Sequence, residues 1–235
     1  MPGEVFLVPT YLSESNTEGF IANDVKKVIT RLDYYFVENV RTARRFISSL
    51  SLGIDISQLQ FEIVDKNFDE KELPRIFQPV LEHNKSVGIL SEAGLPGIAD
   101  PGRKAVQFAQ DRGLKVITLP GASAMLLALI ASGFNGQQFT FHGYLPIDER
   151  QRIAKLIELE KVMLQTGYTQ LFMETPYRNM KLWKNMLRQL NKKTRIFVGA
   201  DLTGKLEICA TKTVAEWIKS DIDLHKIPTV FGIGQ

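Results

Sequence analysis

Cysteine is almost missing: Cys209 is the single one in 235 residues, so no internal disulfide can form and nothing calls for an oxidising compartment. Histidine is scarce too. His83, His142 and His225 lie far apart, without an H-E-x-x-H pattern or paired cysteines, and no metal is expected. Long apolar runs are lacking. The longest, 124–131, is far below the ~20 residues a membrane-spanning helix needs and reads as a core helix. Met1-Pro2-Gly3-Glu4 has no basic leader and 5–8 is too short for a signal core, so the expectation is a soluble cytoplasmic protein with no membrane partner. Several chemical signatures are absent as well. There is no G-x-x-x-x-G-K-[ST] phosphate loop, and the first strand is followed by Pro9-Thr10-Tyr11-Leu12 instead of a G-x-G-x-x-G dinucleotide turn. Gly121-Ala122-Ser123-Ala124-Met125 lacks the closing glycine of a nucleophile elbow, which argues against a covalent hydrolase.

What is present suits buried cores: 44% hydrophobic residues, 23% charged and 14 phenylalanines exclude a disordered tail, a collagen-like fibre or a disulfide-stapled miniprotein. Short apolar runs at 5–8, 34–37, 61–64, 87–90 and 116–119 predict strands, and a second set follows at 139–144, 170–173, 196–198, 206–210 and 229–233. Helical stretches fall between them at 20–31, 70–83, 103–112, 123–132, 153–165 and 177–190. Strand and helix in turn predict an α/β chain with largely parallel sheets, and the close spacing of 196–198 and 206–210 predicts an antiparallel hairpin late in the chain. So many strands exceed one compact doubly wound sheet. Two α/β domains are expected, 1–119 and 120–235, divided at the Pro120-Gly121 breaker and with a cleft between them.

The net charge of +3 does not by itself announce a nucleic-acid binder, but its distribution is uneven. No acid occurs between Thr175 and Ala200, whereas Arg178, Lys181, Lys184, Arg188 and Lys192 recur near one helix face; Arg41, Arg44 and Arg45 form a second cluster. Either these are solvated helix faces or they serve phosphates. Four turns follow strands. Ser91-Glu92-Ala93-Gly94-Leu95-Pro96-Gly97-Ile98-Ala99-Asp100-Pro101-Gly102 could hold a ligand by its backbone or be an ordinary connection. Ser123 after Pro120-Gly121 could offer a donor to an anion or merely cap its helix. The strand at 139–144 ends in Gly143-Tyr144-Leu145-Pro146, and Glu174-Thr175-Pro176-Tyr177-Arg178 carries either a structural ion pair or site residues.

In order and wording these four segments resemble the tetrapyrrole methylase class of S-adenosylmethionine-dependent methyltransferases, and within it the 16S ribosomal RNA cytidine 2'-O-ribose methyltransferases. That group carries S-D-A-G-T-P-x-I-x-D-P-G where this chain has residues 91–102, and P-G-P-S-A where it has 120–124. It carries F-x-G-F-L-P at 141–146 and E-[ST]-P-x-R at 174–178. The resemblance implies a tetrapyrrole methylase-like fold, S-adenosylmethionine held between two α/β domains and released as S-adenosylhomocysteine, and a homodimer. It further implies cofactor contacts from Leu12, Gly94, Leu95, Ile98, Ser123, Ala124, Leu145, Met173 and Ala200, and an RNA or small ribosomal subunit as acceptor. The substrate-side motifs depart from the group's P-T-P-I-G-N-L, E-D-T-R and A-R-E-L-T: they read Pro9-Thr10-Tyr11-Leu12-Ser13-Glu14-Ser15, Glu38-Asn39-Val40-Arg41 and Gly199-Ala200-Asp201-Leu202-Thr203. A small-molecule or tetrapyrrole methyltransferase, or a non-catalytic S-adenosylmethionine-binding protein, are therefore the competing readings. Candidate catalytic residues are Glu38, Arg41, Asp100, Glu174 and Arg178, because a hydroxyl acceptor benefits from a proton acceptor or a fixed charge.

Overall fold

Alternation along the apolar strands decides the layering of the first half. In a computed structural model that describes residues 2–15 and 21–235, β1 (Val5–Val8), β2 (Tyr34–Val37), β3 (Gln60–Ile63), β4 (Val87–Leu90) and β5 (Val116–Thr118) form one parallel sheet in the order β3-β2-β4-β1-β5. Side chains point alternately to opposite faces. Phe6, Val8, Tyr35, Val37 and Leu90 therefore join one core with α1 (Asn23–Ile29) and α2 (Val40–Ser49). Val5, Tyr34, Phe36, Val87 and Ile89 join another with α3 (Leu73–Glu82) and α4 (Arg103–Asp111). The connections β1 to β2 and β2 to β3 run one way along the sheet and the next two run back, so right-handed crossovers place the helix pairs on opposite faces. The helix expected at 20–31 spans Asn23–Ile29; Phe20 lies outside the described residues.

The second half is mixed. β6 (Phe139–Tyr144), β7 (Thr169–Glu174), β8 (Arg195–Ala200), β9 (Ile208–Thr213) and β10 (Thr229–Gly234) are ordered β6-β7-β10-β8-β9. β6 and β7 are parallel, but β10 enters antiparallel between β7 and β8, and β8–β9 is the expected antiparallel hairpin. The expectation of largely parallel sheets thus holds for the first sheet and fails for the second, where β10 returns against both neighbours. Here α6 (Glu149–Thr166), α7 (Asn179–Gln189) and α8 (Val214–Trp217) cover one face, packing Leu156, Leu182, Trp183 and Trp217 on Phe172, Val198 and Phe231. Helix α5 (Ala124–Ser132) covers the other, with Ala128 against Phe197 and Val230.

The chain divides into two compact units, Met1–Ser123 and Ala124–Gln235, so the division falls after the Pro120-Gly121 turn and not at 119/120. No helix among the described residues is long and apolar enough to cross a membrane.

Candidate functional site

In the first unit β1 and β4 are neighbours whose connections depart in opposite directions, the position at which open α/β sheets form a crevice above their carboxyl ends. The loops there are tied to one another. Thr10 N donates to Gly94 O at 2.9 Å and Gly94 N to Tyr11 O at 3.3 Å. Ser91 Oγ donates to the same Gly94 carbonyl at 2.8 Å. Glycine is required at the crossings. A Cβ on Gly94, where φ is +75°, would lie 2.8 Å from Ala122 O and from Leu12 Cδ2, and one on Gly121 would lie 2.2 Å from Pro9 Cβ. The close backbone approach expected at Gly94 is thus loop against loop. Gly97 differs: its φ is +85° and a Cβ would meet nothing within 4 Å. Ala99 shares the left-handed conformation at φ 55°, and Ile98 between them is exposed. Leu12 and Leu95 are half-buried and Ser123 is buried. The turns at 94–98 and 120–123, expected from different halves, both belong to this unit.

Three carboxylates gather beside these loops. Asp100 Oδ1 accepts from Gly97 N at 3.2 Å and Gly102 N at 2.7 Å, a turn that a side chain at 102 would close, since its Cβ would lie 2.6 Å from that oxygen. Asp100 Oδ2 is buried and meets no donor among the described residues. Glu38, half-buried just after β2, supplies one if it carries a proton. Its carboxyl is pushed up to about 7, first by burial, then by hydrogen bonding to Asp100 and the charges of Asp100 and Glu92, with the Glu92 backbone opposing. Glu92 in turn accepts from Thr42 Oγ1 at 2.5 Å. Asn39 caps α2, its Oδ1 accepting from Arg41 N at 2.9 Å and Thr42 N at 3.4 Å, so losing the family's Asp here leaves the cap intact. Arg41 is exposed and its guanidinium takes no partner among the described residues. Glu38, Glu92 and Asp100 are therefore brought together, and Glu92 is a member that sequence reasoning had left among the loop residues.

In the second unit Glu174 and Arg178 form the structural ion pair. Arg178 Nη2 and Nε donate to Glu174 Oε1 at 2.6 and 2.9 Å, and Thr175 N donates to it at 2.6 Å. Glu174 Oε2 is buried without a donor among the described residues. Leu145 and Ala200 are buried in the unit's core, Met173 is half-buried next to Glu174, and Ala124 opens α5.

Residue Arg152 carried no sequence-level assignment. It is 4% exposed on the first turns of α6, its Nε donating to Asn185 Oδ1 at 3.0 Å and its Nη1 to Ile147 O at 2.7 Å. The helix expected at 153–165 begins after it, whereas α6 starts at Glu149 and sets Arg152 on a buried stripe with Leu156, Leu159 and Met163, where a charge asks for an explanation. Among the described residues no group of three or more His, Cys, Asp or Glu is arranged to hold a metal ion.

A parallel first unit with backbone-lined strand-end loops and a mixed second unit define a class. Residues 26–217 match the model of the tetrapyrrole (corrin/porphyrin) methylases, and the chain belongs to that family. It is similar to the ribosomal RNA small subunit methyltransferase I of Vibrio cholerae, 30% identical over 225 residues, which cover 94% of this chain and 74% of that one. The protein of the same name from Bacillus subtilis is 32% identical over 224 residues, 93% of this chain and 71% of that one. Among solved structures, diphthine synthase superposes with a TM-score of 0.67 at 14% identity, covering 98% of this chain and 88% of that one, a likeness of fold. The chain is accordingly an S-adenosylmethionine-dependent methyltransferase.

Proposed function

We propose that the protein transfers the methyl group of S-adenosylmethionine to a ribose 2'-hydroxyl of small-subunit ribosomal RNA, acting in the cytoplasm. The observation that carries this reading is the similarity over 94% of the chain to a relative named for that RNA. The site's chemistry suits the cofactor. Loops with open space at Gly97 can face a ligand with main-chain groups, and the acids Glu38, Glu92 and Asp100 suit a ligand bearing an ammonium and a sulfonium. Leu12, Gly94, Leu95, Ile98 and Ser123 are the first-unit contacts we assign to it, Gly94 by van der Waals contact alone because its N–H and C=O are already bonded to Tyr11 and to Thr10 and Ser91. By resemblance Ala124, Leu145, Met173 and Ala200 add contacts from the second unit, Leu145 and Ala200 through backbone because their side chains are buried in the core.

S-adenosylmethionine supplies a methyl already made electrophilic by its sulfonium, so the protein's share is in-line positioning and proton management. When bound, S-adenosylmethionine would give its methyl to the hydroxyl oxygen and be released as S-adenosylhomocysteine, and the hydroxyl proton would need an acceptor. Glu38 is the group we assign to take it, its carboxyl being poised near neutrality by burial and Asp100. Asp100 holds the loop and balances Glu38; Arg41 is available on α2 to steady charge. Glu174 and Arg178 are given a positioning role through their ion pair.

Incubation with methyl-labelled S-adenosylmethionine and small ribosomal subunits lacking the modification should place label in RNA as one alkali-resistant 2'-O-methylated linkage. Label in a tetrapyrrole or small molecule, or no transfer at all, would overturn the assignment.

A further inference from the structure

A cavity of about 340 Å³ opens in the second unit between the start of α6 and α7, lined by Ile147, Glu149, Arg152, Arg178, Lys181, Lys184, Asn185 and Arg188. Five of these residues are cationic and one is acidic. Arg178 is neutralised by Glu174, but Lys181, Lys184 and Arg188 are exposed and have no ion-pair partner among the described residues. They sit at i, i+3 and i+7 on α7, one face of the helix. A solvated face would explain those three by themselves. It does not explain Arg152.

Burying a guanidinium is costly unless an anion accompanies it. Arg152 is 4% exposed, yet its protein acceptors are all neutral: Asn185 Oδ1, Pro146 O at 3.3 Å and Ile147 O. These bonds use Nε and Nη1 and fix the plane of the group, while Nη2 has no acceptor among the described residues and is not among the buried atoms left unpartnered. Asn185, itself buried, is held in turn by donating Nδ2 to Glu149 Oε1 at 2.9 Å. Arg152 is thus an immobilised guanidinium whose Nη2 is left to donate, at the wall of a cavity rimmed by three unpaired cations. A guanidinium N–H held in a fixed plane makes a charge-assisted bond to a phosphate oxygen, and lysines add charge without demanding geometry.

We propose that this cavity is a phosphate site that holds one phosphodiester of the RNA acceptor, with Arg152 as the fixed donor and Lys181, Lys184 and Arg188 as the mobile rim. It rests on the RNA reading above and deepens it by naming where the backbone is gripped. The site would set the register of the acceptor strand without reading its bases.

The test compares wild type, a Lys181→Gln/Lys184→Gln variant and an Arg152→Lys variant, each checked for a native circular dichroism spectrum and an unchanged melting temperature. Binding of unmethylated small ribosomal subunits and of a single-stranded RNA is measured across several salt concentrations, beside S-adenosylmethionine affinity. The rim variant should bind RNA roughly tenfold more weakly, with a log–log salt slope shallower by about 0.7, the value for one phosphate of a single strand. Arg152→Lys keeps the charge but loses the fixed Nη2 donor, so affinity should fall severalfold with the slope nearly kept; if it fails to fold, the rim variant still decides. S-adenosylmethionine affinity should not move. An RNA affinity and slope unaltered by the rim variant would overturn the phosphate site while leaving the RNA reading intact. Wild-type protein that binds neither RNA nor subunits would sink the RNA reading itself. Inorganic phosphate protecting wild type but not the rim variant from heat, with RNA affinity equal in both, would assign the cavity to a small free anion and also overturn the proposal.

Discussion

Glu38 shows how much one carboxyl can report. Its ordinary value of 4.5 is raised to about 7, so between those pH values the unfolded chain has lost the proton that the folded chain retains. The group's contribution to stability therefore falls as pH rises through that window. Glu38→Gln removes the ionisation and keeps a donor for Asp100 Oδ2. The variant should melt above wild type at pH 8, and the difference should vanish near pH 4, as read by thermal denaturation across the range. Methyl transfer should move the opposite way. Wild-type rates should climb through about pH 7, while Glu38→Gln should lose that limb and about 100-fold or more in rate, the usual share of general base catalysis. A flat wild-type profile would remove Glu38 from the role. Arg178 offers no such clean probe, because deleting it strands the buried Glu174 carboxylate and turns any kinetic effect into a stability effect.

At the scale of the element, the β4 loop is the one to test. Gly94 and Gly121 are occupied on their open sides by Leu12, Ala122 and Pro9, so side chains there disrupt packing between loops before they reach any ligand. Gly97 has the same left-handed backbone but free space, and Gly53, outside this loop, has φ +71° and equally free space. Gly53→Ala thus measures the cost of strain alone, about 1 kcal/mol. Gly97→Ala should cost the same in chemical denaturation and, in addition, weaken S-adenosylmethionine by tenfold or more in calorimetry. Equal cofactor affinity for the two variants would move the cofactor away from Gly97.

For the whole molecule, the resemblance implies a homodimer. Sedimentation at micromolar concentration with S-adenosylmethionine present should give twice the 26.6 kDa of one chain. A monomer mass would end that expectation. Two units of different sheet type within one chain also set what each can offer. The parallel unit collects strand ends and their loops at one edge, the place where open α/β sheets bind ligands. The mixed unit, with helices α6 and α7 laid on its sheet, presents a basic face instead.

Much of this was legible in the residues themselves. Runs such as Val5–Val8 and Val87–Leu90 announce strands because apolar β-branched residues bounded by polar or turn-forming ones have few other solutions. The motifs at 91–102 and 174–178 mark strand-end turns because glycine and proline punctuate the chain locally. The direction of β10 was not legible, since antiparallel insertion between β7 and β8 depends on a path through space that no local pattern encodes. Nor was the grouping of Glu38, Glu92 and Asp100, which are distant in sequence and meet only because β2 and β4 lie side by side in the sheet. Arg152 stands between the two cases. Its i, i+4 spacing to Leu156 fits the apolar stripe of α6, but the helix expected at 153–165 begins after it, and whether that charge would face a carboxylate, a carbonyl or a cavity was decided by α7, which brought Asn185 and the lysines to it. Periodicity fixes which face of a helix is buried; only packing decides what it is buried against.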